Sequence, residues 1–264
     1  MPFFTPMNRQ SDSPPHPPAH DGARTYRQRV RRVGLRAFRV VCQETDLMVQ
    51  ADRLLDAEAR EAVLSCRGQI DGYILRYPDF ATTLAPWREP PFAPAVVREM
   101  IAAGRAAGVG PMAAVAGAVA ERVGRQLLDY SRDVVVENGG DVFIQAKGPV
   151  VAGLFAGTSP LSMKLGINLA DARDGIGLCT SSGTVGHSLS TGSADAVCVV
   201  SRSCALADAA ATAIGNRIRS PREIKAGIAF GKRIPGVLGV VVIAGREMGA
   251  WGQMELVPLK GKKG

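Results

Sequence analysis

Four stretches of the 264-residue chain carry residue types at spacings that could do chemistry. In Ala205-Leu206-Ala207-Asp208-Ala209-Ala210-Ala211-Thr212-Ala213, Asp208 and Thr212 stand four apart. On a helix this spacing puts a carboxylate and a hydroxyl on one face, within reach of one hard cation that keeps waters and takes phosphate oxygens as its other ligands. The same pair also reads as an acidic first-turn residue favoured by the helix dipole, with Thr212 merely packed. Cys179-Thr180-Ser181-Ser182-Gly183-Thr184-Val185-Gly186-His187-Ser188 follows a strand pattern, and His187 is the one histidine outside a Pro-rich tail. Its hydroxyls around a glycine offer donors to a polyanion, and a plain Ser/Gly loop accounts for them equally well. Within it, Gly186-His187-Ser188-Leu189-Ser190 approaches the hydrolase elbow G-x-S-x-G. It ends on Ser190, lacks a strand-turn-helix setting and leaves only His16 and His20, both in the tail, to face the serine, which argues against a serine hydrolase.

The other two stretches are turns. Gly108-Val109-Gly110-Pro111 opens an Ala-rich helix pattern, where unpaired N–H groups and the helix dipole suit a phosphate. An ordinary helix start with Pro in its first turn is the simpler reading. Val136-Glu137-Asn138-Gly139-Gly140-Asp141 is explained as a hairpin turn in every residue, with Asp141 placed to project towards a site.

Strands and helices must position these groups. Alternation predicts strands at 29–31, 33–35, 38–41 and 46–49. Helical spacing predicts helices over 57–76, ended by Pro78, over 94–106 and over 111–130. Val134-Val135-Val136 and Val142-Phe143-Ile144 flank the hairpin signal Asn138-Gly139. Strands at 164–169, 176–180 and 197–200 then precede helices at 205–218 and 221–231, the last with Ser220 as N-cap before Pro221. Strands at 237–244 and 254–257 close the chain. Both halves read as strands, helices, then a strand pair, so the expectation is one α+β domain over 24–258. Its lobes would span about 24–148 and 160–258, each with antiparallel sheet backed by helices.

Composition narrows the function classes. With 46% hydrophobic residues the chain can build a real core, which excludes a disordered chain. The formal charge of +8 is concentrated at the ends: seven arginines lie in 24–39, and Lys260, Lys262 and Lys263 belong to a basic tail at 259–264. Without those ten, 22 basic residues face 24 acidic ones, so the charge does not point to nucleic acid. Residues 1–23 read as a disordered Pro-rich tail without the apolar stretch of a secretory signal. The longest apolar runs, 109–120 and 236–245, are too short to span a bilayer. Five scattered cysteines without C-x-x-C spacing read as reduced core residues. A cytoplasmic protein is expected.

Taken in order, these elements resemble the ApbE superfamily of FAD:protein FMN transferases, and within it an uncharacterised bacterial and archaeal branch. Glu44-Thr45-Asp46-Leu47, the 67–80 stretch RGQIDGYILRYPDF, Glu137-Asn138-Gly139-Gly140-Asp141 and the 180–188 run carry the resemblance, which covers about 25–258. It implies an α+β ApbE-like fold, Mg²⁺ on Asp208 and Thr212, and a backbone carbonyl from 111–114 on the same ion. Flavin nucleotide, FAD or FMN, would bind at Gly110, Gly139, Gly140, Asp141, Thr180, Ser181, Ser182 and Gly183, with His187 acting in transfer. The implied reaction is attack by a protein threonine on the FMN-side phosphate of FAD, with AMP leaving.

Three departures stand out. Thr184-Val185 replaces acidic and aromatic residues, Ser188 to Gly192 replaces an apolar pair with Asp-Pro, and Met112-Ala113-Ala114-Val115 lacks the family's acid. Two functions stay open: a Mg²⁺-dependent flavin-nucleotide enzyme that transfers FMN or cleaves FAD, and a non-catalytic flavin- or nucleotide-binding protein. The implied partners are a small flavin nucleotide and a protein acceptor, with neither nucleic acid nor membrane, and self-association as a homodimer stays open.

Overall fold

The computed structural model describes residues 30, 32, 34–88, 92–182 and 192–259. The Pro-rich tail, Gly183 and His187 within 183–191, and the terminal lysines lie outside the described residues. Of the strand expected at 29–31 only Val30 is described, and it makes one antiparallel bridge to Ala152. In place of the strands expected at 33–35 and 38–41 there is one strand, Arg36–Cys42, and Val33 lies outside the described residues.

Eight strands form one antiparallel sheet in the order β1 (Arg36–Cys42), β2 (Thr45–Ala51), β3 (Val134–Asn138), β4 (Asp141–Ala146), β7 (Ala172–Ser181), β8 (Ala196–Ser201), β9 (Val237–Ala244) and β10 (Glu247–Gly252). A second, three-stranded sheet has the order β11 (Glu255–Pro258), β6 (Leu165–Leu169), β5 (Val150–Gly153). Helices α1 (Asp56–Arg76), α2 (Ala95–Ala107) and α3 (Val115–Leu127) lie between β2 and β3, and α4 (Cys204–Gly215) and α5 (Ile224–Gly231) lie between β8 and β9. Each group of four strands in the large sheet therefore has its helices between its second and third members. The two groups meet where β4 pairs with β7.

Register shows which end matters. Cys42 pairs with Thr45, Asn138 with Asp141 and Ala244 with Glu247, so three hairpins close through two-residue turns. Gly139 and Gly140 take φ of 70° and 143°, which a side chain would resist and which the hairpin twist needs. The fourth connection, 182–195, joins β7 to β8 at the same end, because Asp141 at the start of β4 faces Cys179 near the end of β7.

One face of the large sheet packs on the helices through Phe143, Cys179, Val197 and Val199. The other packs on the small sheet through Val142, Ile144, Leu178 and Ile167. Strict alternation along each strand sends neighbours into different layers. The expected single helix over 111–130 is a 3₁₀ turn, Pro111–Ala114, followed by α3, because Pro111 fits only a helix start. Nine of the twelve α4 residues are buried, and Asp208 is its one charged residue. Such a helix, apolar all round, belongs inside a protein.

Small residues let the layers approach. A Cβ on Gly177 would lie 2.4 Å from Cys204 Cα, and one on Gly124 would lie 2.2 Å from the Phe143 ring. In contrast, Gly72 in α1 is exposed with open space around it. Gly177→Ala is therefore expected to destabilise the fold by about 1–3 kcal/mol through overpacking. Gly72→Ala should stabilise it by about 0.5–1 kcal/mol by relieving helix entropy. Urea unfolding of both variants checks the pair, and equal effects would sink the assigned packing role of Gly177.

Candidate functional site

The site is built on the start of α4. Ser203 caps the helix, its Oγ accepting the Leu206 N–H at 3.2 Å, and the buried Glu121 carboxylate accepts the Cys204 N–H at 2.7 Å. Two first-turn donors of α4, the Cys204 and Leu206 amides, are thus already served, and Asp208 lies a turn further on. The reading of Asp208 as an acidic first-turn residue of its own helix is corrected: its carboxylate serves another helix. Asp208 Oδ2 accepts the Gly117 N–H at 2.9 Å, and the Ala116 amide also bonds the carboxylate. Both amides belong to the first turn of α3, whose N-cap position is Ala114, with no oxygen of its own to offer. Gly117 permits the approach, since a Cβ there would lie 2.4 Å from the Cys204 carbonyl oxygen. Asn138 Nδ2 ties the end of β3 to the same turn by donating to the Ala116 carbonyl at 3.1 Å.

Strand register places the second carboxylate. Asp141 is directly opposite Cys179, so both side chains leave the sheet on the same face. Cys179 faces α4: its Sγ–H donates to the Cys204 carbonyl at 3.3 Å and lies 3.5 Å from Cys204 Sγ. Asp141 therefore faces α4 as well. Burial first, and the Asp141 charge second, push the Asp208 carboxyl well above the usual carboxylate range, while the two α3 amides pull it back only in part. Burial also raises the Cys179 thiol, so this cysteine is not an activated nucleophile. All five cysteines are buried, and none is in a disulfide.

The hydroxyl run divides between two layers. Ser181 lies two residues beyond Cys179 on the α4 side, and its buried Oγ has no hydrogen-bond partner among the described residues. Thr180 points the other way and, with Gly140, Val142 and Leu178, lines a narrow cavity between the two sheets. Its N–H donates to the Gly140 carbonyl at 3.3 Å, so the Gly139–Gly140 turn and the strand end are one unit. Ser182 follows at the exit of β7, and Gly183 and His187 lie beyond the described residues.

Thr212 is half-buried one turn along from Asp208. The helix bearing both packs on the Pro111–Ala114 turn and on α3. Gly110 has a packing reason of its own, because a Cβ there would lie 1.9 Å from the Thr83 carbonyl oxygen. The helix-start amides at Ala116 and Gly117, the donors a phosphate would use, are engaged by Asp208.

Asp208, Asp141, Ser181 and Thr212 thus share one layer at the hairpin end of the sheet, while Thr180 and Gly140 look into the other. Sequence reasoning missed Glu121 and Gly117. Glu121 stands four before Arg125, a spacing that suggests a surface ion pair; that pair exists at 2.7 Å, and the other oxygen holds the Cys204 amide. For a hard divalent ion the donor chemistry fits, with two carboxylates and two hydroxyls on one side of the sheet and a like-charge pair that a cation would relieve. Among the described residues no three His, Cys, Asp or Glu side chains form a metal cluster.

This layered architecture is the fold of the ApbE flavin transferases. The flavinyl transferase ApbE of Pseudomonas stutzeri, in its apo form, superimposes with a TM-score of 0.56 at 16% identity, over 83% of this chain and 94% of that one. The ApbE protein of Thermotoga maritima superimposes with a TM-score of 0.54 at 12% identity, over 81% and 96%. The chain belongs to the family described as AbpE bacteria, whose profile matches residues 27–233. It is 41% identical to a UPF0280 protein of Methanococcus aeolicus over 79% of this chain and 86% of that protein. It is 39% identical to one of Methanocaldococcus jannaschii over 83% and 92%. No single helix among the described residues is long and apolar enough to cross a membrane.

A raised carboxyl has a signed consequence. The folded state holds the Asp208 proton more tightly than the unfolded chain, so its contribution is fully present below its ordinary value of 3.8 and is lost as pH rises through the folded pKa. Asp208→Asn keeps an acceptor for Gly117 and removes the charge, so its melting temperature should fall less than that of the parent as pH rises from about 4 to 8. Asp208→Ala also uncaps α3 and should be less stable than Asp208→Asn by about 0.5–2 kcal/mol. Parallel pH profiles for parent and Asn variant would refute the charge conflict with Asp141.

Proposed function

We propose that the protein is a Mg²⁺-dependent flavin-nucleotide enzyme that breaks the pyrophosphate of FAD, passing FMN to a protein hydroxyl or to water. The observation that carries this reading is the Asp208–Asp141 pair, two carboxylates turned to one layer with Asp208 held on a helix that also bears Thr212. Asp208 and Thr212 would hold the ion, with Asp141 across from them. Bound there, Mg²⁺ would neutralise charge at the pyrophosphate.

The chain's own part is positioning. The α3 amides fix the Asp208 carboxylate, Glu121 and Ser203 fix the start of α4, and the Gly139–Gly140 turn sets Asp141 at the strand end. Ser181 offers a hydroxyl to a phosphate oxygen on the same side. For His187 the family resemblance implies a role in transfer. In the reaction the acceptor oxygen bonds to the FMN-side phosphorus, the bridging P–O bond breaks, AMP leaves, and the acceptor's proton passes to a base. With water as acceptor the products are FMN and AMP.

A second reading has its own support. The helix-start amides at Ala116 and Gly117 are occupied, and the 111–115 stretch supplies no acid to the site. A protein that binds flavin nucleotide without turning it over fits those two facts.

Incubation of the protein with FAD and Mg²⁺, with AMP and FMN separated by chromatography, decides between them. Turnover is expected, with loss on chelation and a fall on the order of 10²-fold or more in Asp208→Asn, the scale for removing one charge-stabilising group. Calorimetric binding of FAD without release of AMP would favour the binding protein. Turnover that survives both chelation and Asp208→Asn would sink the metal assignment.

A further inference from the structure

The charge of the chain is uneven inside the fold as well as at its ends. Residues 216–233, from the end of α4 through α5, hold Arg217, Arg219, Arg222, Lys225, Lys232 and Arg233 against one acid, Glu223. All six cations are exposed. Glu223 is already in use, its carboxylate accepting the backbone N–H groups of Arg219 at 2.6 Å and Ser220 at 3.1 Å. On the strands that α5 covers, Glu247 of β10 is the acid turned towards it, and Asp195 nearby accepts the Gly245 N–H. Arg219, Arg222, Lys225 and Arg233 make no ion pair among the described residues. Elsewhere in the fold single arginines pair with acids, as Arg32 does with Asp133, Arg39 with Asp46, Arg53 with Glu58 and Arg67 with Glu44, and no other short stretch of the described residues gathers four cations without an ion pair. An unmatched cluster of like charges repels itself, and a partner of opposite sign relieves that repulsion.

Its place is beside the site. Ser193, where the 182–195 connection returns to the sheet, donates its N–H to the Ile218 carbonyl at 2.8 Å. A Cβ on Gly192 would lie 1.9 Å from the Gly215 carbonyl oxygen. Arg217 and Arg219 therefore flank the rim of the hairpin end, one to two turns beyond Thr212. Two of the cations are braced on rings: the Arg217 guanidinium lies 3.7 Å from the Phe230 centroid and Lys232 Nζ lies 5.2 Å from that of Trp251. Rings covered in this way give no platform for stacked bases, the usual device of single-strand binders. The helix α5 lies along β9 and β10 and does not project as a groove reader would.

We propose that the 217–225 turn and α5 form the docking face for an acidic segment of the protein acceptor, placed to bring its hydroxyl to the rim of the site. The choice of a protein as partner rests on the proposed FMN transfer. The test needs no turnover, so the two readings fail separately.

A fluorescein-labelled oligoglutamate peptide is titrated with the full chain, following anisotropy at about 0.05 M and 0.3 M salt. The comparison proteins are Arg219→Glu/Arg222→Glu/Lys225→Glu, and Lys260→Ser/Lys262→Ser/Lys263→Ser. The parent should bind more weakly at the higher salt. The first triple variant should lose roughly tenfold or more in affinity, with its melting temperature unchanged, and the tail variant should bind like the parent. Equal binding by the parent and the first variant, or loss in the tail variant alone, overturns the proposal. So does tighter binding of a DNA oligonucleotide or of phosphatidylglycerol vesicles than of the peptide, if the first variant abolishes it, because the face then belongs to nucleic acid or membrane.

Discussion

One carboxylate holds the site together from both sides. Asp208 sits in a helix built almost wholly of alanine and other apolar residues, and its Oδ2 takes up the first-turn amide of a neighbouring helix. Without that bond α3 would begin on an uncapped Ala114, and the Pro111–Ala114 turn would lose its anchor against α4. With it, a carboxyl is kept where burial and Asp141 both oppose its ionisation. A carboxyl so held is costly in stability, and carboxyls perturbed in this way cluster at functional sites. The small residues around it follow from the same requirement, since any side chain at Gly117 would meet the α4 backbone or the Asp208 side chain itself.

The large sheet supplies the stage by repetition. Each four-strand group sends its helices to the same face, and the two groups share an edge at β4 and β7. Asp141 is the first residue of β4 and Ser181 the last of β7, while Asp208 comes from a helix of the second group and Gly117 from one of the first. The site is thus a product of the seam, where residues distant in sequence become neighbours by strand register.

Much of this was legible in the residues. The Asn138-Gly139 hairpin, α4 starting near 205 and the Ser220 cap all rest on local signals of turn chemistry and periodicity, and these elements appear close to their expected limits. Two strands were not foreseen. β5 is only four residues, and β10, Glu247–Gly252, contains two glycines and no β-branched residue, so it pairs because β9 offers an edge. The division of the Thr180-Ser181 pair between layers is a matter of phase: period-2 alternation states that neighbours diverge, and only the register with Cys179 states which of them meets Asp208. The partner of Asp208 was hidden for a related reason, because a helix start without a capping residue in its own sequence gives no sign of which distant acid completes it.

The three two-residue turns carry a consequence for how such proteins diverge. Adding or removing a residue in 43–44, 139–140 or 245–246 would slip a strand by one position and turn every side chain on it to the wrong layer. The 182–195 connection is under no such restraint: it joins β7 to β8 by more than a tight turn and can lengthen or shorten while all eight strands keep their pairing. Of the four connections at that end of the sheet, it is therefore the one where residues can be added or lost without turning a strand over.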